Sequence, residues 1–305
     1  MTNFALIFIC ISAGIILSRL NILPKDSHKS INAWVLYVAL PALSFRYIPE
    51  VEWSWKMLLQ IIGPGVVWCG SWLFVELYSR FVKINQSTRT AMIVTGGLGN
   101  TAFLGYPMIS AFYGEGEIHN AILFDQVTFL LFSTVAVITI LRSSSEGLET
   151  VSSRSIIKKV FRFPPFLGCL GALILSSFID ISPINPFLDK LVATVSPMAL
   201  FSIGLQLKIG AWKDELPNLT AGLFYKLMIA PTLVLLLAII LRATGTMAQL
   251  SVFEAGMSSH ITASLLAGQY NRNPNLCNLM VGFGIVFSFI TITFWTFIMD
   301  FLLPL

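Results

Sequence analysis

The stretch Gly96-Gly97-Leu98-Gly99-Asn100-Thr101-Ala102-Phe103-Leu104-Gly105-Tyr106-Pro107 is a polar, glycine-rich break inside a hydrophobic segment that runs from about residue 90 to residue 113. Gly, Asn and Thr are residues that leave a helix, and Pro favours the first turn of a new one. Had the segment belonged to a soluble domain, this would be an ordinary loop. In a bilayer core no water satisfies the freed backbone groups. Irregular backbone is tolerated there only when buried in protein or lining a wet cavity. Which case applies depends on the rest of the chain.

Composition places the chain in a membrane. Of its 305 residues 56% are hydrophobic and 11% charged, with a mean hydropathy of +0.81. Soluble domains carry about 25% charged residues. Apolar runs near membrane-spanning length occur at 4–20, 31–48, 57–78, 90–113, 119–141, 164–180, 188–207, 219–241, 250–269 and 276–299. The expected fold is therefore an all-α membrane protein of ten transmembrane helices. Residues 4–20 read as a retained first helix: no basic residue precedes the apolar run, and Arg19-Leu20-Asn21-Ile22 follows in place of a small-residue cleavage site. Cys10, Cys69, Cys169 and Cys277 fall in or at the edges of apolar spans and are expected as buried thiols, with neither a disulfide framework nor a metal cluster.

The basic residues sort by loop. Fourteen lie in one set of alternate loops: Arg19, Lys25, Lys29, Arg80, Lys83, Arg89, Arg142, Arg154, Lys158, Lys159, Arg162, Lys208, Lys213 and Arg272. Four lie on the opposite side: Arg46, Lys56, Lys190 and Arg242. The positive-inside rule puts the first set in the cytoplasm and both termini outside. The pI near 8.9 thus reflects topology and gives no reason to expect a nucleic-acid partner.

The halves echo each other. A polar cytoplasmic segment, 142–163, separates residues 1–141 from 164–305, and each half holds five predicted spans. An odd number of spans per half makes the second an inverted repeat of the first. Val38-Ala39-Leu40-Pro41-Ala42-Leu43-Ser44-Phe45 resembles Val195-Ser196-Pro197-Met198-Ala199-Leu200-Phe201-Ser202. Pro64 corresponds to Pro231, and Gly99-Asn100-Thr101 to Gly256-Met257-Ser258-Ser259.

The motif Gly99-Asn100-Thr101-Ala102-Phe103-Leu104-Gly105-Tyr106-Pro107 resembles the signature of the auxin efflux carrier family, which includes plant auxin exporters and bacterial permeases for small carboxylates such as malonate and malate. The resemblance extends along the whole chain. It implies that the broken fourth and ninth helices cross near the bilayer midplane and form a substrate site. It implies a dimerising scaffold of helices 1, 2, 6 and 7, with Pro41 and Pro197 kinking it, and a transport unit of helices 3–5 and 8–10 that slides as an elevator. The short central loop and compact length imply a bacterial inner membrane. Many family members carry a proline at the second break, where this chain has Met257-Ser258-Ser259, so a milder second break is expected.

Several residues could carry transport. Asn100 and Thr101 can cap a half-helix starting near Tyr106-Pro107, whose N–H groups would favour an anion. Gly256, Met257, Ser258 and Ser259 would aim a second half-helix at the same point. The plainer alternative is a glycine-rich packing face. Lys226 lies inside the eighth span, where an ammonium costs about 2.5–3.5 kcal/mol. Either it faces a cavity or an acid, or it snorkels to the cytoplasmic interface. Asp125 and Glu254 are candidates for coupling to a proton or to sodium, or for pairing with Lys226. His260 either joins the coupling or is a structural hydrogen-bonding residue. Glu76 and Asp300 are expected at interfaces. Trp53, Trp55, Trp212 and Tyr47 fit an aromatic belt.

No His-Glu-x-x-His, Gly-x-x-x-x-Gly-Lys-Ser/Thr or Gly-x-Ser-x-Gly motif occurs in the chain. The expectation is a secondary transporter for a small organic anion, without cofactor or enzymatic activity, working as a homodimer. The rivals are a transporter-like sensor that binds without translocating, and a channel. Short loops leave no room for an output domain, and no continuous polar stripe lines a pore.

Overall fold

The computed structural model describes residues 2–24, 26–50, 57–143, 164–206 and 212–303. Trp53, Trp55, Lys56, Lys208 and the expected linker beyond Ser143 lie outside the described residues, as does the side chain of Cys169. Most of the described residues are helical, and no strand occurs among them. In chain order they form α1 (Thr2–Arg19), α2 (27–47), α3 (Leu58–Phe81), α4 (Gln86–Gly97), α5 (Thr101–Phe112), α6 (Ile122–Arg142) and α7 (Pro164–Ser176). There follow α8 (Ser182–Gln206), α9 (Lys213–Ile240), α10 (Thr246–Ala255), α11 (Ile261–Gln269) and α12 (Pro274–Leu302). Of these, α3, α6, α8, α9 and α12 are each long and apolar enough to cross a membrane.

Burial follows helical period, but the outer surface is as apolar as the core. Along α12, Ile285, Ser288, Ile292, Trp295 and Met299 are buried at spacings of three and four, while Val286, Phe287, Ile290, Phe294, Phe297 and Phe301 are exposed. Soluble monomers rarely expose so large a contiguous apolar face. Such a surface suits hydrocarbon, so the protein is a multi-pass integral membrane protein. The same logic corrects an expectation about thiols. Cys277 is buried, Cys10 is half-buried, and Cys69 is exposed. Cys69 lies beside Trp72 and Leu73 on the outward face of α3, where an apolar side chain needs no core to be content.

Prolines leave a local mark. In α2, α5 and α9 a wide π turn precedes the proline by two residues: Val35–Ala39 before Pro41, Thr101–Gly105 before Pro107, and Tyr225–Ile229 before Pro231. A proline lacks an N–H and crowds the carbonyl four residues back. Widening the turn relieves the crowding without ending the helix. Pro197 sits just after a break in α8 at Ala193-Thr194. Pro64, by contrast, lies inside α3 with no π turn.

The chain divides into two compact units. The first comprises Met1–Trp53, Ala102–Ile122 and Ile157–Leu207. In it α1 packs on the second half of α8 through facing glycines: a Cβ on Gly14 would lie 2.8 Å from Gly204 Cα and 2.9 Å from Leu205 N. Small residues of this kind let helix backbones approach in membranes. A Cβ on Gly168 of α7 would likewise meet Pro41 Cα of α2 at 2.7 Å. Arg46 Nε pairs with Asp189 Oδ1 at 2.7 Å.

The second unit comprises Ser54–Thr101, Leu123–Ile156 and Lys208–Leu305. Its α4 is buried along almost all of its length. Gly97 is seated on the buried Trp68 indole, where a Cβ would come within 2.6 Å of Cε3. Glu76 of α3 pairs with Arg89 of α4. Asp300 is exposed near the end of α12.

Candidate functional site

The site is built where two helices stop. Helix α4 ends at Gly97, and Leu98 is extended (φ −125°, ψ 128°). Helix α10 ends at Ala255, and the chain does not resume a helix until Ile261. The two gaps lie antiparallel. Asn100 N–H donates to the Ser258 carbonyl at 2.8 Å, and His260 N–H donates to the Leu98 carbonyl at 3.0 Å. Gly99 and Ser259 thereby form an isolated antiparallel β-bridge. This exchange supplies partners for backbone groups that an interrupted helix in lipid would otherwise orphan. Gly99 is needed for the close approach: a Cβ there would lie 3.2 Å from the Glu254 carbonyl oxygen and 3.5 Å from Lys226 Nζ. The second break spans five residues, against three in the first, so it is not the milder of the two. The helix opens here without a proline because the Ser258 carbonyl and the His260 N–H find partners across the gap, in Asn100 and Leu98.

Polar side chains collect around this crossing. Asn100, Thr101, Asp125, Lys226, Glu254, Ser258 and Ser259 are all buried. Thr101 Oγ1 donates to Asp125 Oδ1 at 2.5 Å, tying α6 to the start of α5. Lys226 lies midway along α9 and is wholly buried. Its Nζ donates to the Ala255 carbonyl at 2.6 Å. That carbonyl ends α10, where the helix dipole is negative and a cation is favoured. Neither carboxylate oxygen of Glu254 accepts a hydrogen bond, and Asn100 Nδ2, Ser258 Oγ and Ser259 Oγ also lack partners. Buried polar atoms are nearly always paired. Five such atoms gather among the residues of this one crossing.

Two half-helices begin at the crossing. The first resumes at Thr101, earlier than the Tyr106-Pro107 start read from the sequence, because the π turn Thr101–Gly105 is already helical. The second, α11, is capped by His260, whose Nδ1 accepts from Ala263 N–H at 3.3 Å. The His260 ring stacks on Phe132 with centroids 5.1 Å apart. Helix N-termini offer free N–H groups and partial positive charge, which suit an anion.

Not every predicted residue joins the cluster. Tyr106 and Pro107 belong to the first unit. Pro107 there lines a cavity of about 560 Å³ together with Arg46, Tyr47, Ser110, Glu115 and Asp189. Met257 is buried, and Gly256 packs near Ile292, which a Cβ would meet at 3.1 Å.

Two supporting residues carried no signal in the sequence reading. Trp295 Nε1 donates to the Leu227 carbonyl at 2.9 Å. Leu227 precedes Pro231 by four residues, so its carbonyl lacks the usual helical donor. Tyr225 Oη donates to the Val67 carbonyl at 2.5 Å. The lone available hint was Pro231 itself, which predicts a needy carbonyl but not its donor.

A family model described as "Membrane transport protein" matches residues 1–296. The chain belongs to this family. It is 23% identical over 296 residues to an uncharacterized transporter of Methanothermobacter thermautotrophicus, covering 96% of both chains. It is 20% identical to auxin efflux carrier component 8 of Arabidopsis thaliana, covering 96% of this chain and 95% of that one. A protein of Rhizobium meliloti assigned by name to malonate transport is 24% identical over 214 residues, 68% of this chain and 65% of that protein. The resemblance to auxin efflux carriers read from residues 99–107 therefore holds along the chain, and the family is one of transporters, not of enzymes.

Proposed function

We propose that this membrane transport protein is a secondary transporter that moves a small organic anion, a carboxylate, by alternating access of the elevator type. The observation that carries the proposal is the buried antiparallel crossing at Gly99 and Ser259, with unpartnered Asn100 Nδ2, Ser258 Oγ and Ser259 Oγ beside two half-helix N-termini. Broken helices with N-termini at a common point are how secondary transporters hold anionic substrates. The ammonium of Lys226 adds positive charge at the same place. A small acid matches these donors better than a neutral solute does.

In this reading ten spans form two inverted five-helix repeats, both termini face outward, and the protein works as a homodimer in a bacterial inner membrane. The body that holds the crossing carries the substrate, and the spans at 4–20, 31–48, 164–180 and 188–207 stay as the scaffold. The malonate assignment of the Rhizobium meliloti relative makes a dicarboxylate the first probe.

The test is a melting curve of detergent-purified protein with malonate, acetate, indole-3-acetate and a neutral sugar, followed by counterflow of labelled malonate in proteoliposomes. Saturating ligand at a hundred times its Kd stabilises by about 2.7 kcal/mol. The expected result is a rise in Tm with one class of acid, absent in Asn100→Ala, and counterflow that saturates. Binding without counterflow would favour a sensor and overturn the proposal.

A further inference from the structure

Glu254 is wholly buried and neither of its carboxylate oxygens accepts a hydrogen bond. Lys226 Nζ donates to the Ala255 carbonyl at 2.6 Å, and no hydrogen bond joins it to either Glu254 oxygen. A buried carboxylate in this condition is strongly disfavoured as an ion and neutralises by taking a proton. We infer that the Glu254 carboxyl is the proton-carrying group of the transport cycle, holding one proton in the closed crossing and crossing the membrane together with the substrate anion.

The surroundings support this choice. Helices α3, α9 and α12 pack against α10. From α3 come Cys69, Glu76, Tyr78 and Arg80; Glu76 is paired with Arg89. From α9 come Lys213, Asp214, Glu215, Tyr225 and Lys226, and from α12 Cys277 and the exposed Asp300. The charged groups that share the crossing with Glu254 are Lys226, bonded to the Ala255 carbonyl, and, from α6, Asp125, bonded to Thr101. Asp125 and Glu254 repel each other as ions, and an anion at the crossing would add a third negative charge in a medium that screens poorly. Neutral Glu254 removes that repulsion, so proton and anion bind together. On release the Glu254 O–H bond breaks, its electron pair stays on the carboxylate, and the proton passes to water.

Sodium fits less well. A half-helix C-terminal carbonyl is where such carriers coordinate a metal cation, and here the Lys226 ammonium, hydrogen-bonded to the Ala255 carbonyl, would repel one. His260 is committed as a cap with Nδ1 in the accepting role.

The inference rests on the carrier reading for its coupling, but the proton itself can be read without transport. Infrared spectra of the reconstituted protein at neutral pH should contain the carbonyl stretch of a protonated carboxylic acid, lost in Glu254→Gln and kept in His260→Asn. A spectrum without that band, or a band that survives Glu254→Gln, overturns the inference. In proteoliposomes an inside-alkaline gradient should accumulate labelled malonate by up to about tenfold per pH unit, the factor one proton supplies. Glu254→Gln should lose this accumulation, and Glu254→Asp, which restores a carboxyl, should recover part of it. Accumulation driven by sodium, or retained in Glu254→Gln, overturns the coupling. Absence of any acid exchange by the wild-type protein removes the carrier reading, while the infrared band still decides the state of Glu254.

Discussion

Lys226 Nζ donates a 2.6 Å hydrogen bond to the carbonyl of Ala255, the last residue of α10. An ammonium at mid-helix thus closes the end of a neighbouring broken helix. Two consequences follow for a substitution. Lys226→Met keeps the length of the side chain but leaves the Ala255 carbonyl without that donor, at a cost of about 1–3 kcal/mol. It also removes the positive charge beside Glu254. The expected outcome is a lower Tm and loss of malonate exchange. Lys226→Met with wild-type exchange would show that the ammonium serves neither the crossing nor the anion.

Gly97 and Gly99 make a contrasting pair two residues apart. Alanine at 97 would thrust a methyl to 2.6 Å from the Trp68 ring, and overpacking a buried site costs about 1–3 kcal/mol. Alanine at 99 meets the Glu254 carbonyl at 3.2 Å, so the crossing has to open by only a few tenths of an ångström. Gly97→Ala is therefore expected to lower Tm more than Gly99→Ala, and Gly99→Ala to impair exchange more than its Tm change explains. Equal losses of both quantities in the two variants would count against a functional role for the close approach at 99.

Part of this architecture is legible in the sequence, and part is not. The first break is, because Gly96-Gly97-Leu98-Gly99-Asn100-Thr101 gathers helix-leaving residues in an apolar run too long to be a loop. The second is legible as its echo, though the missing proline suggests a gentler interruption than the five residues found. The place of Lys226 along its helix is not. The apolar run starts at residue 219, whereas α9 begins at Lys213, because Lys213-Asp214-Glu215 and Pro217 form its first turns. Six more residues of helix put Lys226 near the middle of α9 and not near its start. Cys69 misled because outward and inward faces of a membrane helix are equally apolar. Contacts such as Thr101 with Asp125 join residues distant in sequence, and a single chain offers no pattern that pairs them.

Trp295 tests whether the proline in α9 needs its donor. The indole N–H reaches the Leu227 carbonyl, one turn before Pro231, from inside a buried setting. Trp295→Phe retains an aromatic ring but removes the N–H. The cost expected for the unpaired carbonyl is about 1–3 kcal/mol, readable as a drop in Tm. Adding Pro231→Ala restores a backbone N–H at position 231 and should recover part of that loss. A double variant no more stable than Trp295→Phe alone would mean the carbonyl was never short of a donor.

His260 separates a cap from a coupling group. Its Nδ1 accepts from Ala263 N–H at the start of α11, and its ring lies on Phe132. Asparagine is among the best N-cap residues, whereas alanine at a cap costs about 0.5–2 kcal/mol. His260→Asn should therefore keep most of the capping energy, losing only the ring contact, and His260→Ala should lose both. Neither change removes the proton-carrying carboxyl at Glu254. Gradient-driven accumulation of malonate should accordingly persist in His260→Asn with an unaltered dependence on the pH gradient. Were His260→Asn to exchange malonate normally yet lose its response to pH, the imidazole and not Glu254 would be the group that carries the proton.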